Sequence, residues 1–461
     1  MSSLSERVRT FTGDRLLRRV VRNSTYLFAS NVIAAVLGIV TANLLGVAIF
    51  GTLGIITGFV TNINRLLSFR MNDVVVRYVG DALARKEKER AAAVVKAAAL
   101  TEALTSLVAF GVLAALAPLG ARYFAKDVQL TPLFLLYGVS ILANLICETA
   151  TGVLQVTGHF RTQALINLAQ SVLVAGLIIR AALQGGGLMD VLWAYLIGKV
   201  ILGMGPVFAA LYWMPRAVRR EWWRVSFSFL PPWRELVRFA LSTNFSATIN
   251  LIARDSEVPW VGLFFGPVVA GYYKTALQLI NLVVMPINPF ISTTFPEITR
   301  AVAEQAWRRL RGLLRQVSLI AGGWTAMVML GILLAGRQVL FSRFELLGRS
   351  FHIYDSQYLP AYPVLLVLMI GYGLANTLFW SRPLLLAQGW ADFALKVSFW
   401  AMLGKLALGV VFLPGAGYVA EAGFLSLYFA TSVGVMVWRG MRGVGMGAEA
   451  ESLMEVVEKK V

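Results

Sequence analysis

Long apolar runs recur from one end of the chain to the other and are separated by short polar segments. A helix needs about 20 residues to cross about 30 Å of hydrocarbon, and each run reaches that length. The predicted spans cover residues 25–46, 51–72, 93–117, 132–156, 162–183, 188–214, 237–265, 271–295, 312–336, 361–387, 391–413 and 417–438. We therefore predict an all-α polytopic membrane protein with about 12 transmembrane helices.

The hydropathy pattern is present twice, about 220 residues apart. The stretch Gly46 to Gly51 aligns with Gly266 to Gly271. Further aligned pairs, at an offset of about 231, are Gly158 with Gly389 and Gly187 with Gly417. The repeat predicts two six-helix lobes related by internal duplication, residues 25–214 and 237–438. Because six is even, both lobes cross the membrane in the same orientation, as in transporters that alternate access by rocking two bundles.

Composition and charge agree with a membrane protein. Hydrophobic residues make up 58% of the chain and charged residues 14%, while the net charge is +18. In a soluble protein that charge suggests a nucleic-acid partner, but here Lys and Arg concentrate in alternate loops, so we expect no nucleic-acid partner. The bias predicts cytoplasmic termini and a cytoplasmic loop between the lobes. The segments outside the lobes are a basic N-terminal segment (1–24), a basic and aromatic connector (215–236) and a C-terminal tail (439–461).

Residue types suited to covalent or metal chemistry are scarce. Cys147 is the one cysteine, and His159 and His352 lie in different predicted loops on opposite sides of the membrane. A phosphate-cradling Gly-x-x-x-x-Gly-Lys-Ser/Thr motif does not occur. We expect no catalytic residues, no metal site and no cofactor, and therefore not an enzyme.

Charged residues inside the seventh predicted span mark the candidate site. In the repeat, Arg254, Asp255 and Glu257 take the places held by alanine and leucine in the first span. Ionisable groups at such depth are costly unless paired or hydrated, so they indicate a transport pathway. A local Arg–carboxylate pair that only neutralises buried charge is the structural alternative.

Several short motifs resemble one transporter family. They are Leu44-Leu45-Gly46 to Gly51, Val76-Arg77-Tyr78, Asp255 followed by Gly262 to Tyr273, and Phe295-Pro296. Together they resemble the polysaccharide and oligosaccharide flippase family of the multidrug/oligosaccharidyl-lipid/polysaccharide exporter superfamily. The family often has proline where this chain has Val47, so we expect the hinge of the first repeat to differ from that of the family.

The resemblance implies a fold, a reaction and partners. The implied fold is two six-helix lobes about a central cavity. The implied function is translocation of polyprenyl-pyrophosphate-linked oligosaccharide from the cytoplasmic to the outer leaflet of a prokaryotic inner membrane, for cell-surface polysaccharide biosynthesis. The implied partners are the lipid-linked oligosaccharide, membrane lipids, and a glycan polymerase with other polysaccharide-assembly proteins.

Such a substrate requires cations for its diphosphate, polar groups for its sugars and a lateral opening for its tail. Arg254 is the first candidate, because a guanidinium stays charged when buried and binds phosphate bidentately. Second-rank substrate contacts are Lys274 and Arg382, and polar candidates are Asn31, Asn244 and Thr248. Interhelical hydrogen bonding is the alternative role for each polar side chain. Pro259 lacks an amide hydrogen and is the predicted hinge.

Other intramembrane charges are candidates for a coupling ion (H⁺ or Na⁺) or for charge pairs: Asp255, Glu257, Glu148, Lys199 and Lys405. We place Lys199 and Lys405 at roughly equivalent positions of the two lobes. Pairing within the first lobe, with Glu102 or Glu148, is the structural role expected of Lys199, and a contact with the substrate phosphate is its alternative role.

Two other functions remain open. An ion-coupled drug or small-molecule exporter of the same fold would favour acidic cavity residues such as Asp255. A membrane glycan polymerase or ligase ranks lower, because it would not explain the two-lobe repeat.

Overall fold

The structure is a computed structural model that describes residues 15–218, 221–342, 344–346 and 349–458. The described residues fall into two compact units. Unit 1 contains those within Met1–Leu45 and Ile55–Thr248, and unit 2 contains those within Gly46–Gly54 and Ile249–Val461.

The first half of the described chain is helical. Its α-helices are α1 (Arg15–Leu67), α2 (Asn72–Val74), α3 (Gly80–Ala84), α4 (Lys88–Leu119), α5 (Thr131–Ala143), α6 (Cys147–Val156), α7 (Phe160–Leu183) and α8 (Leu188–Ala217). Between them lie π-helical turns at Val75–Val79 and Gly120–Phe124, and 3-10 turns at Val128–Leu130, Trp222–Arg224 and Phe227–Phe229.

The second half repeats this organisation. Its α-helices are α9 (Trp233–Asn250), α10 (Glu257–Phe265), α11 (Pro267–Val284), α12 (Asn288–Ala303), α13 (Trp307–Gly331), α14 (Arg337–Phe341), α15 (Ala361–Thr377), α16 (Ser381–Ala387), α17 (Ala391–Ala416) and α18 (Tyr418–Glu458). Its shorter elements are π-helical turns at Leu251–Asp255 and Ile332–Gly336, 3-10 turns at Met285–Ile287 and Ser356–Tyr358, and an antiparallel hairpin of β1 (Phe344–Leu346) and β2 (Arg349–Phe351).

The fold-class prediction is confirmed. In the described part of the chain, ten helices are long and apolar enough to cross a membrane. That number treats the stretch from Val32 to Leu67 as one helix, although it bends at Gly46, and it leaves out the interrupted helix formed by α9 and α10. With both taken into account, the described residues contain about 12 spans, as predicted.

The duplication is visible in the backbone. Gly46 and Gly266 have φ angles of 71° and 83°, and Gly158 and Gly389 have 77° and 80°. Residues with a side chain rarely adopt this left-handed region, so glycine is required at both members of each pair. The third aligned pair differs, because Gly417 has φ 78° and Gly187 has φ −112°.

Each unit has its own buried core. In unit 1, Ala91, Ala92 and Ala93 of α4 are fully buried in one cluster with Val75 and Leu154. Small residues allow membrane helices to approach closely, which favours packing where lipid provides no hydrophobic drive. Unit 2 has a corresponding cluster of larger residues, Ile298, Leu310, Leu384 and Val444.

Candidate functional site

A polar cavity of about 670 Å³ lies within unit 2. Its charged lining residues are Arg254, Asp255 and Arg382. Hydrogen-bonding groups come from Asn281, Asn288, Tyr372 and Asn376, and the rest of the wall is largely apolar. The structure thus brings two of the predicted cations and one predicted carboxylate to a single cavity.

A helix irregularity positions Arg254 and Asp255. α9 ends at Asn250, a π-helical turn covers Leu251–Asp255, and α10 starts at Glu257. Pro259 has no N–H with which to reach the carbonyl of Asp255 four residues earlier, so a regular helix cannot continue through this point. Single π-helical turns of this kind are frequent at functional sites.

Within the cavity Arg254 is only partly neutralised. Its Nε donates a hydrogen bond of 2.9 Å to Asp255 Oδ1. The side chains of Arg254 and Asp255 are 44% and 32% exposed, so the pair is accessible to a ligand. Since a guanidinium has five N–H donors, this bond leaves four others for an anion.

Arg382 reaches the same cavity from another element. The tenth span breaks at residues 378–380, between α15 and α16, and Arg382 is the second residue of α16. Its side chain is exposed and lines the cavity. Nearby, Asn376 Nδ2 donates to Thr325 Oγ1 at 2.8 Å, which fixes the amide at the cavity wall.

Glu257 and Lys405 lie outside this cavity, in a buried ion cluster of unit 2. Lys405 Nζ forms an ion pair and hydrogen bond with Glu257 Oε1, lies 3.1 Å from Glu421 Oε1, and donates to the carbonyl of Ala253 at 3.0 Å. The three ionisable side chains are 4%, 1% and 0% exposed. Sequence reasoning missed Glu421, although an acid within a predicted span was a signal for it.

Lys199 and Lys405 are not equivalent positions, contrary to the sequence prediction. Gly187 precedes α8 and its aligned partner Gly417 precedes α18, so the sixth span corresponds to the twelfth. Lys405 belongs to α17, the eleventh span, and therefore has a different place in the repeat.

The predicted pairing of Lys199 is also absent from the described residues. Glu102 accepts hydrogen bonds from the backbone N–H groups of Glu148 and Thr149, both at 2.8 Å. Glu148 lies 3.8 Å from Arg70. Neither carboxylate forms an ion pair with Lys199, because each faces other donors.

The remaining predicted residues occupy separate places. In unit 1, Asn244 Oδ1 accepts from the backbone N–H of Arg70 at 2.9 Å and Asn244 Nδ2 donates to Ala240, so its amide stabilises helix packing. Thr248 is half-buried near the end of α9. In unit 2, Lys274 lies 4.0 Å from the Phe50 ring centroid and donates to the Phe50 carbonyl at 3.4 Å. The side chain of Asn31 lies outside the described residues.

Comparison with known families identifies the chain. The family described as polysaccharide biosynthesis protein matches residues 18–302, which is more than half of the sequence. The chain belongs to that family. The resemblance inferred from the short motifs is therefore confirmed.

Two curated relatives have related names. The chain is 24% identical over 346 residues to the inner membrane protein YghQ of Escherichia coli, covering 72% of this chain and 94% of that protein. It is 26% identical over 220 residues to the teichuronic acid biosynthesis protein TuaB of Bacillus subtilis, covering 47% of this chain and 43% of that protein.

Solved structures share the fold of this family member. The lipid II flippase MurJ in an inward closed conformation matches with a TM-score of 0.71 at 12% identity, covering 91% of this chain and 87% of that chain. An inward-facing multidrug resistance MATE family transporter matches with a TM-score of 0.70 at 15% identity, covering 91% and 96%. The chain is a multi-pass membrane protein with a transporter fold.

Proposed function

We propose that the protein flips a polyprenyl-pyrophosphate-linked oligosaccharide from the cytoplasmic to the outer leaflet of a prokaryotic inner membrane by alternating access. The observation that carries the proposal is the cavity of unit 2, where Arg254 and Arg382 occur together with amide and phenol groups. The step is transport of an intact molecule, so the proposal requires no covalent chemistry.

The cavity matches the polar part of such a substrate. Two guanidinium groups suit the diphosphate, since Arg binds phosphate oxygens bidentately and keeps its charge in a low-dielectric site. Asn281, Asn288 and Tyr372 supply the donors and acceptors that sugar hydroxyls require. We assign Pro259 and the π-helical turn before it as the hinge of the interrupted seventh span.

The relatives favour this substrate class. TuaB is named for teichuronic acid biosynthesis, and MurJ is named as a lipid II flippase. Inner-membrane localisation is proposed from the name of YghQ. Cytoplasmic termini are proposed from the alternating Lys and Arg content of the loops.

Reconstituted transport tests the function and the site together. A fluorescent polyprenyl-pyrophosphate oligosaccharide is incorporated into proteoliposomes, and its arrival in the opposite leaflet is measured. We expect Arg254→Gln to slow flipping by about tenfold or more, because hydrogen bonds to charged groups contribute about 1.5–3 kcal/mol. The double variant Arg254→Gln/Asp255→Asn keeps the local charge balance and should be equally slow.

The control is Arg315→Gln, which removes an exposed arginine of α13 that does not line the cavity. It should flip at the native rate. Native flipping in both Arg254 variants would leave the function standing and show that the phosphate site lies elsewhere. If the native protein moved a cationic dye and no lipid-linked glycan, the exporter function would replace ours, with Asp255 as its cation ligand.

A further inference from the structure

A second polar cavity, of about 210 Å³, lies within unit 1. Three cations line it: Arg65, Arg70 and Lys199. Its carboxylates are Glu102 and Glu148. The cavity has room for several water molecules and hence for a small oxyanion. The proposed flipping function makes no use of it.

The carboxylate of Glu102 accepts hydrogen bonds mainly from backbone N–H groups. Its two carboxylate oxygens accept hydrogen bonds from Glu148 N, Thr149 N and Thr149 Oγ1, at 2.8, 2.8 and 2.6 Å. These donors belong to the first turn of α6, so Glu102 satisfies the positive end of that helix. Glu102 is therefore not the counter-ion of the cations across the cavity.

Glu148 neutralises its neighbour only weakly. Its Oε1 lies 3.8 Å from Arg70 Nε, and the two side chains are 40% and 51% exposed. Exposed pairs of this kind contribute about 0–1 kcal/mol, because water screens them. A stronger anion can therefore displace Glu148 from Arg70 at low energetic cost.

Lys199 and Asn64 present unsatisfied groups to the same cavity. Among the described residues, none forms an ion pair or hydrogen bond with the Lys199 ammonium. The buried side-chain oxygen of Asn64 also lacks a hydrogen-bond partner. Because amide oxygen and nitrogen are assigned from their surroundings, Asn64 is able to present its NH₂ group to an anion instead.

We propose that the cavity of unit 1 binds an oxyanion of the phosphate class. Lys199 of α8 supplies a point charge, and Arg65 and Arg70 supply planar guanidinium groups near the end of α1. The ligand is either a soluble phosphate compound or the phosphate of a lipid headgroup. This site is separate from Arg254 and Arg382, so its existence does not depend on the flipping proposal.

The chain carries its own reporter for this site. Cys147, its one cysteine, lines the cavity, with Sγ donating to the carbonyl of Leu202 at 3.3 Å. Purified protein is labelled with an anionic sulfonatoethyl methanethiosulfonate and with a cationic trimethylammonium analogue. We expect the anionic reagent to react faster, and inorganic pyrophosphate to slow it about tenfold, equivalent to about 1.4 kcal/mol. Cys147→Ala defines the background.

Substitutions assign the effect to the cations. Lys199→Gln should abolish both the charge selectivity and the protection, while Lys199→Arg should retain them. Arg180→Gln is the matched control, since it removes an exposed cation of α7 that does not line the cavity. Equal protection in native protein and Lys199→Gln would overturn the proposal.

Two further arms make the test decisive. Labelling in vesicles of phosphatidylglycerol and of phosphatidylcholine separates the ligand sources. Protection in phosphatidylglycerol vesicles but not in phosphatidylcholine vesicles identifies the phosphate of an anionic lipid headgroup. If Cys147 proves unreactive, thermal unfolding with and without pyrophosphate replaces the labelling. A rise in unfolding temperature in native protein that is lost in Lys199→Gln supports the site, whereas no response to pyrophosphate or to phosphatidylglycerol overturns it.

Discussion

Lys405 of unit 2 lies between two carboxylates, and the three side chains have almost no exposed surface. Glu257 and Glu421 both approach its ammonium, although Glu257 Oε2 and both oxygens of Glu421 lack a hydrogen-bond donor among the described residues. Removing one partner of a buried ion pair leaves an uncompensated charge, whereas removing a surplus charge does not. The cluster therefore predicts opposite effects for its cation and its second acid.

We expect Lys405→Met to destabilise the protein by about 3–5 kcal/mol, because two carboxylates then lose their shared cation. Glu421→Gln should be tolerated, because Lys405 and Glu257 remain as a neutral pair. The unfolding temperatures of the purified variants in detergent measure the difference.

Lys396→Met provides the control for that comparison. It removes an exposed lysine from the same helix, α17, and should leave the unfolding temperature close to the native value. If Glu421→Gln proved as damaging as Lys405→Met, the acid would have a role beyond charge pairing. The triple variant Lys405→Met/Glu257→Gln/Glu421→Gln should recover most of the lost stability, because it leaves no buried charge.

The sequence predicted some of these residues and missed others for a physical reason. Arg254 and Asp255 stood out because the repeat places apolar residues at the same depth. Glu421 is the fourth residue of α18, close to the start of a span, where an acid is a weaker signal than one in the middle of a span. Only the packing of α18 against its neighbours shows that it is fully buried.

At the level of elements, the two glycine-rich stretches of the repeat contact each other within unit 2. A Cβ added to Gly51 would collide with the backbone of Pro267 and Gly271, and one added to Gly271 would collide with the carbonyl of Val47. The α1 segment around Gly51 and the start of α11 therefore cross at backbone distance. Glycine at both positions is therefore a packing requirement.

Gly271→Ala should destabilise the protein by about 1–3 kcal/mol, because overpacking against backbone cannot be relieved by a side-chain movement. Gly323→Ala is the control: it lies inside α13, its added Cβ would meet no atom within 4 Å, and it should stabilise the helix by up to about 1 kcal/mol. Thermal unfolding of both variants checks the prediction. A native unfolding temperature for Gly271→Ala would contradict a crossing at backbone distance.

The helices could be predicted from the sequence wherever the length of an apolar run determines them. The spans and the glycines Gly46 and Gly266 were predicted, because a 20-residue apolar run and a repeated glycine leave few alternatives. The breaks inside the fourth and tenth spans, at residues 144–146 and 378–380, were not. They lie within apolar runs, and tertiary contacts such as the bonds of Glu102 to the start of α6 maintain them.

At the level of the whole molecule, the net charge of +18 comes from Lys and Arg that concentrate in alternate loops. That distribution predicts how the protein is oriented in the membrane. An even number of spans would put both termini on one side, and we expect the Lys- and Arg-rich loops to put that side in the cytoplasm. The flipping proposal depends on this orientation. Arg382 lies near the end of the tenth predicted span, which this orientation places on the cytoplasmic side, and it has to meet substrate arriving from that leaflet.

Site-directed labelling tests the orientation without assuming any function. In a Cys147→Ala background, Gln184→Cys places a thiol in the exposed turn between α7 and α8, which should face outward. Glu304→Cys places one in the exposed turn between α12 and α13, which should face the cytoplasm. A membrane-impermeant maleimide should label the first in intact spheroplasts and the second only after lysis. The reverse pattern would invert the molecule, and the basic loops would then need an explanation other than topology, such as binding to anionic groups outside the cell.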